Sequence, residues 1–186
     1  MPRRYHGLAI TLHWVMAVAF FAMLGSGLAM VHLELEQSLK FQMFQWHKSL
    51  GVLLLMAAAL RILVKFKTKQ PRWPDSMKPL EKKAAKIGHW AFYGWMFALP
   101  VAGWVMVSAS PYGLPTIVFG WFEWPHIPGI AANDTVEDTA EEIHAWLAYS
   151  FMALIGMHIA AVIKHAVFEK ENLLPRMGIG KPKERV

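Results

Sequence analysis

The sequence predicts an all-α fold, a four-helix transmembrane bundle, and three observations carry that prediction. The 186-residue chain is 55% hydrophobic with a mean hydropathy of +0.31, far more apolar than a soluble domain of this length. Four apolar runs each reach the roughly 20 residues that a helix needs to cross a bilayer. Lys and Arg gather at alternate ends of those runs, so the basic pI of about 9.6 reflects membrane topology and not nucleic-acid binding. Membrane lipid is the expected surrounding.

The first run, residues 8–31, follows Arg3 and Arg4 in the manner of a signal peptide. At about 24 residues it exceeds a signal h-region, and no convincing small-residue cleavage site accompanies it, so it reads as a retained span. It holds His13 near its start and Gly25-Ser26-Gly27 near its far end. The second run, 44–64, has His47 near its start and Arg61 near its finish. The third, 87–107, opens with Gly88-His89 and contains Pro100, tolerable in a span where neighbouring groups satisfy the freed carbonyl. The fourth, 143–164, carries both His144 and His158. The 108–140 connection, rich in Pro, Gly and aromatics in its first part, is expected to lie along the membrane surface as a short cap, with Trp121, Phe122 and Trp124 at headgroup level. No repeat or linker is evident, and residues 1–186 read as a single integral-membrane domain.

Charge sets the orientation. Seventeen Lys and Arg flank the N-terminus, the 61–86 segment and the C-terminal tail, against only Lys40 and Lys48 in the other two connections. By the positive-inside rule both termini and the 65–86 loop are cytoplasmic. The opposite face is acidic, with Glu34, Glu36, Glu123, Asp134, Glu137, Asp138, Glu141 and Glu142 against those two lysines.

The chain has no cysteine, which excludes disulfides, iron–sulfur clusters and covalent c-type haem attachment, and leaves nine histidines as the strong nitrogen ligands. An ionisable side chain inside a span is costly and usually functional. His144 and His158 are 14 residues apart, which puts their rings about 40° apart around a helix and about 21 Å apart along it. They share one face at two depths. His13 lies as deep from the basic end of the first span as His158 does from that of the fourth. His47 and His144 each open a span at the acidic end, at a second common depth. Two such pairs, each joining the fourth helix to a different partner, are what bis-histidine ligation of two b-type haems (heme b) requires. A histidine-lined metal transporter would instead add acidic or polar residues to the spans, and these hold almost none.

Gly51, Gly94 and Gly103 make room for porphyrin faces. His89, shallower than His13, is placed to meet a haem propionate or a quinone oxygen, with an interfacial helix-start role as the competing reading. Arg61 is expected to reach the propionates of the basic-end haem, as is Lys65, and Lys48 those of the other haem. His6, His32, His126 and His165 read as surface histidines.

At this point the chain resembles the bacterial cytochrome b561 family, related to the cytochrome b subunits of nickel–iron hydrogenases. The resemblance runs over nearly the whole length. It rests on ITLHW around His13, WHKSLG around His47 with LRILVKF after it, GHWAFYGWMFALPVAGW through the third span, and EEIHAWLAY with GMHIAAVIKH in the fourth. It implies a bacterial inner-membrane location and haem ligation by His13, His47, His144 and His158. It also implies electron transfer between the quinone pool, ubiquinone included, and a second carrier in the respiratory chain. One branch is similar to a superoxide oxidase that passes electrons from superoxide to ubiquinone. A positive approach surface would favour that anion, whereas the acidic face suits a basic periplasmic redox protein better. The third implied role is a membrane-anchor cytochrome b subunit of a dehydrogenase or hydrogenase.

Overall fold

The computed structural model describes residues 4–74, 76–169 and 172–180. Arg3, Lys170, Lys181, Lys183 and Arg185, used in the charge argument, lie outside them, as do Asp75, Glu171 and Glu184. Four long helices dominate: α1 (Gly7–His32), α2 (Gln37–Lys67), α3 (Pro79–Ala109) and α4 (Asp134–Val167), followed by a 3₁₀ turn at Leu174–Met177. All four are long and apolar enough to cross a membrane, and each predicted span falls inside one of them.

The helix starts are chemically marked. The His6 ring accepts from the Leu8 amide, the Glu36 carboxylate from the amides of Ser38 and Leu39, and the Asn133 side chain from the Val136 amide. Pro79 opens α3, where its missing N–H costs nothing. Lys65 and Lys67 close α2, and Lys164 and His165 close α4, where positive charge suits the helix dipole.

Every helix contributes to one central layer of side chains: Met16 and Phe20 from α1, Leu54 and Ala58 from α2, Met96 and Leu99 from α3, and Phe151 from α4. The rings of Phe20 and Phe151 meet edge to face at 5.0 Å. Residues such as Val15, Val18, Leu63 and Ile163 point outward, where lipid accepts them at no cost.

The cap contains a small hairpin that the Pro- and Gly-rich sequence did not announce. Strands β1 (Thr116–Val118) and β2 (Phe122–Trp124) pair antiparallel, joined through Phe119 and Gly120, both at positive φ. Two successive positive-φ residues make a primed turn, whose twist matches that of paired strands. Val118 is fully buried, and the Ser49 hydroxyl of α2 accepts from the Phe119 amide and lies between the carbonyls of Gln45 at 2.8 Å and Ile117 at 3.1 Å. Trp121 is exposed.

At the far end of the bundle the start of the described chain meets residues 172–180. The Tyr5 amide donates to the Arg176 carbonyl at 3.1 Å, the Trp14 indole to the Met177 carbonyl at 2.8 Å, and the Arg176 guanidinium to the Arg72 carbonyl at 2.6 Å. One expectation fails here. His165 is not a surface histidine: it is 7% exposed and bonds Glu169, one helical turn on, at 2.5 Å.

Candidate functional site

The structure brings the four spanning histidines together as two pairs, at opposite ends of the central layer. His13 of α1 and His158 of α4 have ring centres 6.4 Å apart, with planes at 65°. His47 of α2 and His144 of α4 have ring centres 6.3 Å apart, with planes at 69°. Phe151 stands seven residues from each α4 histidine, so the buried aromatic layer separates the two pairs.

Those separations are informative. Two imidazoles sharing one hydrogen bond would have centres about 5 Å apart, from a bond of about 3 Å and about 1 Å from each nitrogen to its ring centre. Two imidazoles on opposite sides of one metal ion, with bonds of about 2 Å, would have centres about 6 Å apart. Both pairs match the second arrangement. Each offers only two protein ligands, and no cluster of three His, Cys, Asp or Glu suited to a metal occurs among the described residues. A bare ion would want more. A haem, which brings its own four equatorial nitrogens, wants two axial imidazoles, so the donor set fits that group.

Hydrogen bonds behind the rings decide which nitrogen is free. The Ser26 hydroxyl lies 3.0 Å from the Met23 carbonyl and 3.0 Å from His47 Nδ1, so it can accept from a His47 ring that carries its proton on Nδ1. His144 Nδ1 donates to the Leu99 carbonyl at 3.0 Å. The carbonyl holds the His144 proton on Nδ1 and leaves the Nε2 lone pair for a ligand, the usual support for a metal-bound histidine. Gly103 permits this: a Cβ there would stand 3.3 Å from His144 Cε1. Gly27 likewise lies close to the His47 ring.

The other pair is supported differently. Arg61 of α2 places a guanidinium nitrogen 3.1 Å from His13 Nδ1. His158 packs against Phe92 at 5.3 Å and lies 6.5 Å from His89. His89 stacks on Trp73 at 6.0 Å, which ties the 68–78 loop to α3. Lys65 sits over the rings of Trp90 and Tyr93, 4.3 and 4.4 Å from their centres, and Lys48 bonds the Pro115 carbonyl at 3.1 Å, fastening the cap beside His47. Gly51 faces the Met23 side chain.

Sequence reasoning did not find the Ser26 and Leu99 partners or the Phe20–Phe151 separator. Ser26 was visible only as a small residue, and a backbone carbonyl carries no side-chain signal at all.

Residues 4–180 match the family model for prokaryotic cytochrome b561. The chain belongs to that family. It is 34% identical over 176 residues to cytochrome b561 homolog 2 of Escherichia coli K12, covering 95% of this chain and 92% of the relative. It is 29% identical over 189 residues to the probable superoxide oxidase CybB of Yersinia pestis, covering 100% and 99% of the two chains. It is 24% identical over 178 residues to cytochrome b561 homolog 1 of Escherichia coli K12. This protein is accordingly a membrane electron-transfer protein that binds b-type haem.

Proposed function

We propose that the chain holds two b-type haems, one between His13 and His158 and the other between His47 and His144, and carries electrons between the quinone pool, ubiquinone in particular, and a second carrier at the opposite membrane face. The observation that carries this reading is the pair of ring separations near 6.3 Å, one at each end of a single bundle. When bound, haem supplies one-electron redox chemistry.

The chain's own part is positional. His13 with His158, and His47 with His144, would each hold one haem, which would then supply outer-sphere electron transfer in preference to reaction at the metal. Ser26 and Leu99 orient the rings of one pair. The layer of Met16, Phe20, Leu54, Ala58, Met96, Leu99 and Phe151 keeps water from the space between the pairs. Arg61, Lys65 and Lys48 are the cations placed to meet haem carboxylates, and His89 on its Trp73 platform is the residue placed to meet a quinone oxygen or a propionate.

The proposed orientation puts both termini and the 65–86 loop in the bacterial cytoplasm, with the His47–His144 pair near the outer face. The charge asymmetry supports it, and so do the bonds that bring residues 172–180 to both the start of α1 and the 68–78 loop. The outer face is acidic, which favours a basic periplasmic redox protein as the second carrier. Superoxide oxidation is the second reading, favoured by the likeness to the Yersinia pestis relative and by the fixed Lys48 ammonium beside His47. A membrane-anchor role in a larger dehydrogenase or hydrogenase would show as copurification with a partner subunit.

The test is an anaerobic reduced-minus-oxidised spectrum of the purified protein with pyridine haemochrome quantification, repeated for His158→Ala and His144→Ala. Two haems per chain, each lost from a different variant, are expected. One haem or none in the unaltered protein would refute the reading.

A further inference from the structure

The two histidine pairs are alike in ring geometry and unlike in what stands behind the rings. Behind His47 and His144 stand two neutral oxygen acceptors, Ser26 Oγ and the Leu99 carbonyl, each at 3.0 Å. An acceptor on Nδ1–H pushes electron density into the ring and makes it a more basic ligand, which favours the more positive, oxidised state of the metal. Behind His13 stands a cation at 3.1 Å. A guanidinium has donors only and does not lose its proton in proteins. Its field disfavours the oxidised state.

Arg61 lies near Tyr93, and Tyr93 is in turn packed under Lys65. The ion pairs among the described residues are Lys164 with Glu81 and Glu169, and His165 with Glu169. Arg61 and Lys65 take part in none of them, so no carboxylate among the described residues is ion-paired with either.

A His13 ring that ligates through Nε2 carries its proton on Nδ1 and cannot accept from Arg61. The guanidinium would then be free to meet an anion. Haem carboxylates are such anions, and each haem would bring the same two; the cation beside the His47–His144 pair is Lys48, bonded to the Pro115 carbonyl, against Arg61 and Lys65 at the other end.

We infer that Arg61 is a positioning residue whose fixed charge sets the reduction potential of the His13–His158 site above that of the His47–His144 site. This rests on the two-haem reading above. It gives the bundle a direction. With haem held at both sites, an electron given up by a one-electron donor at the acidic face would pass from the His47–His144 site to the His13–His158 site. Two such electrons, with two protons taken up at the basic face, would convert one quinone to quinol.

The test is optical potentiometry of the purified di-haem protein, with each wave assigned by its loss in His158→Ala or His144→Ala. The higher-potential wave is expected to vanish in His158→Ala. Arg61→Gln is expected to lower the ferrous-to-ferric ratio of that wave about tenfold at fixed potential, equivalent to about 59 mV for one electron, and to leave the other wave in place. Arg61→Lys restores most of the shift, which a merely structural role would not do. Two haems per chain with the waves in reverse order would overturn the inference and leave the proposed function standing. An Arg61→Gln protein with both haems and an unmoved wave would overturn it too. Should Arg61→Gln fail to hold haem, the order of the waves in the unaltered protein and the Arg61→Lys shift still decide. A single haem would sink both readings.

Discussion

Truncating Phe151 tests the core that separates the two sites. The side chain is 2% exposed and touches Phe20 at 5.0 Å and Phe92 at 5.8 Å between ring centres. The water-to-core transfer part of a usual Phe→Ala cost falls away, because the unfolded helices also lie in lipid. What remains is a void of roughly 100 Å3, which at about 24 cal/mol per Å3 costs about 2.4 kcal/mol. Two lost edge-to-face contacts add about 0.5 kcal/mol or more each. Phe151→Ala is therefore expected to lose about 3–4 kcal/mol, and Phe151→Leu less than half of that. The assay is unfolding in mild detergent with rising SDS fraction, followed by tryptophan fluorescence and haem absorption. Phe21→Ala, one residue from Phe20 but facing outward at 55% exposure, is the control and should change stability by less than about 0.5 kcal/mol. Because Phe151 lies seven residues from His144 and from His158, both haem signals should loosen together. Equal stability of Phe151→Ala and the unaltered protein, or equal losses from Phe151→Ala and Phe21→Ala, would refute the assignment of this layer as the core.

Gly103→Ala should raise intrinsic helix propensity by about 0.5–1 kcal/mol, yet its Cβ would press on His144 Cε1 at 3.3 Å. The expected result is a shifted and broadened absorption band for the His47–His144 site alone, read in the reduced-minus-oxidised spectrum. The absence of native cysteine makes single-cysteine mapping clean: Thr135→Cys should react with an impermeant thiol reagent in intact cells, and Lys83→Cys only after lysis. Bonds from Lys164 first, and then from His165, hold the Glu169 carboxyl below its usual value of 4.5. A depressed folded value means that the contact is fully present above pH 4.5 and is lost as pH falls through the folded value. The protection factor for amide exchange over residues 164–169, which corrects for the intrinsic pH dependence of exchange, should therefore fall in the acid range below pH 4.5.

How much was legible in the chain follows from what each signal depends on. Spans, their number and the two-depth histidine stripe are consequences of local composition and of 3.6-residue periodicity, and these do not need a partner to be read. The spacing of His144 and His158 puts two rings on one face whatever surrounds them, and the Lys and Arg asymmetry does the same for topology. Seven-residue spacing also puts Phe151 between those histidines, but only packing makes it a separator, because Phe20 and Phe92 must arrive from other helices.

The partners behind the rings belong to the tertiary structure. Ser26 and His47 are 21 residues apart and Arg61 and His13 are 48 apart, and nothing in either neighbourhood announces the other. The Leu99 carbonyl that orients His144 is a backbone group made reachable by the glycine at 103. The hairpin over α2 meets the Ser49 hydroxyl, 68 residues from Ile117, and the burial of His165 is likewise a matter of packing that its position in the chain does not announce. The sequence by itself determined that four helices carry two levels of histidine. Tertiary structure decided what each ring is bonded to and which pair has a cation behind it, because hydrogen-bond partners are chosen by three-dimensional proximity that a one-dimensional period does not encode.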